Sequence, residues 1–251
     1  MPKLLFTLCL ISLSTGAFSQ HKMLGLDSLV DTKDPAWSIV QRWITTAKNK
    51  VQVLPVDSLE AKAALYQLQI STYSTLGGVV FNTGGILIDS GWVRILGSGN
   101  ERLTRTVPGW NKGKTLKTFG DEPGFLLVAD DAVGGFFAIN YGALGKDLKN
   151  LYYLAPNSLN WEPLGTGYGE FLLFCFNSNL SKFYKDLRWA TWSEFISKLD
   201  GNKVYSFRPY LWAKDRKPID ECTRKLVDVE AMYKFNIAKH EELTKNKENA
   251  N

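Results

Sequence analysis

The segment LGGVVFNTGGILIDSGWVRILGSG, Leu76 to Gly99, alternates short apolar runs with glycines at Gly77-Gly78, Gly84-Gly85, Gly91, Gly97 and Gly99. Within it, Gly85–Asp89 and Trp92–Leu96 are rich in β-branched and large apolar residues, the composition of half-buried strands. The glycines supply the positive φ that tight turns demand. The segment predicts an antiparallel sheet with tight turns, and it carries no obvious reaction chemistry.

Further along the chain, Phe125–Ala129, Gly135–Ile139 and Leu151–Leu154 read as strands. Asp130-Asp131-Ala132-Val133-Gly134 makes a hairpin turn between the first two, and Asn157–Asn160 makes another before Trp161. Toward the N-terminus, Asp34-Pro35 starts a helix with Trp37, Val40, Ile44 and Ala47 on one face. Asp57-x-x-Glu60 resembles a capping box for a second helix, whose stripe is Ala61, Ala64, Leu65 and Leu68. Val51–Val56, which contains Pro55, is extended between them. Tyr168–Phe176 reads as a strongly apolar helix, Leu180–Leu187 and Trp192–Leu199 as short helices, and Val204–Trp212 as extended. Ile219–Leu243 is expected to form one long polar helix. Asn100–Gly124 is a polar loop with room for a short helical turn, and loops of this length within a domain are often functional.

The chain has 251 residues, of which 45% are hydrophobic, enough for one substantial core. No repeat or linker divides it. The expectation is a single α+β domain over residues 20–244, with a mainly antiparallel sheet flanked by helices, then a disordered tail at 245–251. Residues 1–19 read as a signal peptide. Lys3 is its positive end, Leu4–Leu13 its short apolar core, and Ala17-Phe18-Ser19 places small residues at a cleavage site before Gln20. The mature chain is therefore expected to be exported, periplasmic or secreted, with no transmembrane segment. Cys9 lies upstream of that cleavage site, poorly placed for lipidation. Cys175 and Cys222 remain. They could pair across a loop of about 47 residues, stabilising the fold by ~4 kcal/mol, or stay as two buried thiols.

The net charge of +5 is small for the length and spread along the chain, which excludes the footprint of a nucleic-acid binder. The mature chain has two histidines, His21 and His240, neither within a cluster at metal-ligand spacing. A zinc site or a histidine-based triad is unsupported, and neither a metal nor a cofactor is expected. The glycine pairs lack the lysine of a phosphate loop and read as turn glycines. Ser90 and Ser98 are flanked by glycines without a histidine partner. Carboxylates are the remaining catalytic option, but Asp130 and Asp131 are adjacent, and neighbours on a strand point to opposite faces. No catalytic residue is assigned. Among the tryptophans, Trp110 is the most suggestive of recognition because it lies in the long loop.

Several blocks, in order, carry a resemblance: GGILIDSGWVRILGSG, GFLLVADDAVGGFFAINYGALG, LYYLAPNSLNWEPLGTGYGEFLLF and FYKDLRW. Over roughly Asp34 to Trp212 the chain resembles a bacterial domain-of-unknown-function family, number 2625, which implies no established activity. More remotely it is similar to the SUKH superfamily, whose bacterial members include immunity proteins that neutralise toxins. That similarity implies a strand near Asn82–Gly85, a strand-turn-strand around Asp130–Phe137, a Trp161-Glu162-Pro163 turn and a helix with Phe171. Ala132-Val133 departs from the compact acidic-glycine turn of that superfamily, and Arg94–Pro123 is an insertion. The function expected is a non-catalytic binding module for a protein or an envelope component, immunity-like in one form, with Trp110, Asp130, Asp131 and Trp161 as surface contributors. The alternative is a carboxylate-based hydrolase of envelope glycans.

Overall fold

The computed structural model describes residues 23–249. The expected signal peptide and its cleavage after Ser19 lie outside the described residues. Four helices gather near the N-terminus: α1 (Leu26–Leu29), α2 (Trp37–Thr45), α3 (Ser58–Leu68) and α4 (Thr75–Asn82). Asp57 caps α3 as its sequence predicts, accepting from the Leu59 and Glu60 amides at 2.8 and 3.1 Å.

Seven strands form one antiparallel sheet in which chain order equals spatial order. They are β1 (Val51–Leu54), β2 (Gly85–Ile88), β3 (Val93–Leu96), β4 (Phe125–Asp131), β5 (Phe136–Asn140), β6 (Asn150–Leu154) and β7 (Trp161–Gly167). A short helix, α5 (Val107–Asn111), interrupts the long loop before β4. After the sheet come α6 (Tyr168–Asn177), α7 (Leu180–Phe183) and α8 (Trp192–Ile196). A hairpin of β8 (Lys203–Arg208) and β9 (Thr223–Asp228) leads into α9 (Val229–Glu248). The α+β class is as expected.

Phe136 and Phe137 explain the layering. Adjacent strand residues face opposite ways. Phe136 meets Trp110 of α5 and Tyr233 of α9, at ring separations of 6.4 and 5.0 Å. Phe137 stacks on Tyr153 at 4.5 Å and meets Phe171 of α6 at 4.9 Å. Both faces of the central strands are thus covered, which is why β2 to β6 read as near-continuous apolar runs.

Three readings are corrected. The start of the glycine-punctuated segment is helix, not sheet: the Ser74 hydroxyl accepts from the Gly77 amide at 3.0 Å and starts α4. Gly78 serves close packing there, since a Cβ would lie 3.1 Å from the Trp37 backbone nitrogen. The Trp161-Glu162-Pro163 turn is the start of β7, an edge strand where proline's missing amide costs no ladder bond. The long terminal helix begins only at Val229, because Thr223–Asp228 pairs residue by residue with β8. At its other end α9 reaches Glu248, inside the stretch expected to be a disordered tail.

Candidate functional site

Arg94 and Asp130 are direct partners across the β3–β4 ladder, so their side chains share one face. Both are buried, and Arg94 Nε donates to Asp130 Oδ1 at 2.5 Å. Its other nitrogens donate to the carbonyls of Lys203 (2.6 Å) and Asp131 (2.9 Å), tying the β8–β9 hairpin to the sheet. Asp130 Oδ2 accepts from Arg105 Nη1, and Arg105 Nη2 donates to the Gly201 carbonyl at 2.8 Å. One carboxylate therefore serves two guanidinium groups. Burial pushes the Arg105 pKa below the usual arginine value, against the attraction of Asp130.

Arg105 leads from this buried pair to an open cleft of about 410 Å³, lined by Thr104, Arg105, Trp110, Lys114, Asn202 and Glu230 among others. The guanidinium lies 4.7 Å from the Trp110 ring centre, and Lys114 Nζ lies 4.1 Å from it. Lys114 also bonds Glu230 at 2.8 Å, and Lys234 reaches the same carboxylate at 3.2 Å. Partial burial works to raise the Glu230 pKa, but the two lysines outweigh it and hold it below the usual value. Among the described residues, two buried donors on the wall have no partner: Arg105 Nε and Trp110 Nε1. Trp110 is placed by its neighbour. The Asn111 side chain both donates to the Leu127 carbonyl and accepts from the Leu127 amide, at 2.8 Å each, which pins α5 to β4.

Of the four expected site residues, the fold brings together Trp110 and Asp130, with Arg105 between them. Asp131 faces the other side of the sheet. It accepts from Tyr153 Oη (2.6 Å) and from the amides of Val133 (3.0 Å) and Gly135 (2.8 Å), and burial raises its pKa despite these bonds. Trp161 is remote from the cleft, half-buried on β7 against Phe125 at 5.5 Å. As surface contributors Asp130 and Asp131 are corrected: each is 0% exposed, because each answers a buried polar group. Trp110 is nearly as enclosed, at 4%. Arg105, Lys114 and Glu230 were not singled out from the sequence. Their one signal is the cation flanking Trp110 on each side within the long loop.

Cys175 and Cys222 are both buried and free, the second of the two sequence alternatives. Burial drives the Cys175 thiol pKa far up, while Cys222 Sγ lies 3.6 Å from the Pro218 carbonyl. Ser98 donates to the Thr83 carbonyl, and Lys50 Nζ donates to Ser90 Oγ at 3.1 Å. A donor to that hydroxyl does not withdraw its proton. Among the described residues there is no group of three or more His, Cys, Asp or Glu placed to hold a metal, and no helix long and apolar enough to cross a membrane.

A family model described as a protein of unknown function, DUF2625, matches residues 26–232. The chain is 40% identical over 214 residues to an uncharacterised protein of Haemophilus influenzae, covering 85% of this chain and 93% of that one. It is 38% identical over 219 residues to the putative uncharacterised protein YbfG of Escherichia coli, covering 87% and 98% respectively.

Proposed function

The chain belongs to the DUF2625 family of proteins of unknown function, and we propose that this member binds without catalysing, taking an anionic group in the cleft beside Trp110. The observation that carries this reading is the charge behind the cleft wall: Arg105 lines the cleft, and Asp130 alone is paired with both Arg94 and Arg105. An anion beside Arg105 balances the cation that Asp130 leaves over.

The carboxylates of the cleft favour binding over hydrolysis. A glycosidase needs one acid held protonated beside a second carboxylate. Here Glu230 is paired to Lys114 and Lys234, and Asp228 to Lys203. With the N-terminal residues acting as a signal peptide, the ligand is an envelope component or an exported protein. An immunity-like role, in the manner of the SUKH superfamily, falls within this reading as recognition of an acidic protein surface.

The test is titration of the chain from Gln20 onward with succinate and with inorganic phosphate, following the Trp110 indole resonance by NMR. A saturable shift with either anion, weakened at least tenfold in Arg105→Lys, is expected. No saturable shift with either would overturn the binding reading. Turnover of a purified envelope glycan that disappears in Glu230→Gln would replace it with the hydrolase.

A further inference from the structure

A second cleft lies away from Trp110 and has a different chemistry. Between β2 and β3, Asp89 and Ser90 both adopt left-handed backbone, with φ of +48° and +64°. Two such non-glycine residues in succession are strained, so the surroundings must hold them. The Asp89 amide donates to the Lys50 carbonyl at 2.9 Å, and its carboxylate accepts from Arg188 Nη2 at 2.6 Å. This geometry directs Asp89 into a cleft of about 440 Å³, shared with Asn49, Asn177, Asn179, Ser181 and Arg188. That volume falls within the ~300–1,000 Å³ of small-molecule sites.

The hydrogen-bonding capacity left over in this cleft is specific. The Arg188 side chain is 6% exposed, its guanidinium packed 4.8, 5.4 and 4.0 Å from the ring centres of Trp92, Tyr184 and Trp192, and its role in the cleft is to fix Asp89 through Nη2. Asn49 uses its amide nitrogen on the carbonyls of Cys175 and Ser178, leaving Oδ1 as an acceptor. Asn179 uses Oδ1 on the Lys182 amide, leaving Nδ2 as a donor. Asp89 Oδ1 accepts no bond from the described residues, and Ser181 meets only a long contact of 3.4 Å from Arg188. Both donors and acceptors are left, and the Asp89–Arg188 pair leaves no net charge. An anion finds no excess cation here, and Leu180 and Trp192 supply the apolar part of a mostly polar wall. A hydroxyl group, which both donates and accepts, satisfies either kind of neighbour.

From this we infer that the Asp89–Arg188 cleft binds a neutral saccharide, independently of the anion site beside Trp110. Asn179 Nδ2 donates to ring hydroxyls, Asp89 Oδ1 and Asn49 Oδ1 accept from them, and Arg188 holds the Asp89 carboxylate in place.

The experiment uses the chain from Gln20 onward and follows the Trp192 indole resonance, assigned with Trp192→Phe. Chitotriose, maltotriose and cellotriose are each titrated to 10 mM, and inorganic phosphate is titrated alongside. At least one trisaccharide is expected to give a saturable shift, weakened tenfold or more in Arg188→Lys and in the milder Asn179→Asp, which keeps the acceptor for the Lys182 amide and removes the free donor. Arg105→Lys is expected to leave that affinity unchanged. No shift with any trisaccharide overturns the proposal. So does a shift insensitive to Asn179→Asp, or one produced by phosphate and not by sugar.

Discussion

Asp130 and Asp131 are consecutive residues of one strand whose carboxylates anchor opposite faces of the sheet. Asp130 accepts from two buried arginines on the α5–α9 side. Asp131 accepts from Tyr153 and two turn amides on the α6 side. The difference in partners makes the two acids chemically unlike: one balances charge, the other is bonded mainly by neutral donors. Their substitutions should therefore fail in different ways.

Removing the Asp130 carboxylate leaves Arg94 and Arg105 buried beside each other without an anion. Breaking a buried pair by deleting one partner costs about 3–5 kcal/mol. Asp130→Ala is expected to lower stability by that amount, read as a fall in the midpoint of urea unfolding. Arg105→Lys keeps a cation near Asp130 and should cost less than half as much. Equal losses in the two variants would contradict the arrangement.

For Asp131 the prediction concerns pH. Burial raises its folded-state pKa above the unfolded one, so the folded state binds that proton more tightly. This contributes stability below the ordinary carboxylate value of about 3.9. The contribution is lost as pH rises through the elevated folded value. Asp131→Asn keeps an acceptor for the turn amides but cannot titrate. Stability of wild type minus that of the variant should fall as pH climbs from about 4 toward neutrality. Urea midpoints taken across that range check the sign, and a difference that grows with pH would refute it.

What the sequence made legible follows from where each element's information resides. The five strands β2 to β6 carry their own signal because both faces are buried, so their apolar runs are dense. β7 has the sequence WEPLGTG, and its proline and glycines are tolerated only because it ends the sheet. β9, TRKLVD, is strand because β8 lies beside it, and Thr223–Asp228 by itself has little apolar content. The candidate site divides the same way. Trp110 stood out by its loop, but Asp130 and Asp131 read as turn residues, whereas both belong to β4, where Arg94 and Val93 pair with them across the ladder. Arg105 could not be read, because its role depends on Asp130, Gly201 and Trp110 converging from three separate segments.

Gly135 provides a test of the turn that Asp131 holds. A Cβ there would run into the Asp131 carboxylate and the Tyr153 ring, both fixed by their bond to each other. Gly135→Ala should cost about 1–3 kcal/mol, the range for overpacking a core. Gly25→Ala is the control, since a Cβ at that position meets nothing within 4 Å. The two variants should separate clearly in thermal unfolding, with the control within about 0.5 kcal/mol of wild type, as surface substitutions usually are.

The two cysteines yield the last prediction. Cys175 is enclosed by α6 and the core, and burial pushes its thiol pKa far above the ordinary value, which suppresses the reactive thiolate. Cys222 is also buried, with its sulfur 3.7 and 3.6 Å from the Lys217 and Pro218 carbonyls. Neither thiol should react with Ellman's reagent in the native chain from Gln20 onward. Both should react once the chain is unfolded, without any reductant added. Recovering no thiol from unfolded protein would mean that Cys175 and Cys222 are joined. Rapid reaction of Cys175 in the native state would mean that α6 opens far more readily than its packing implies.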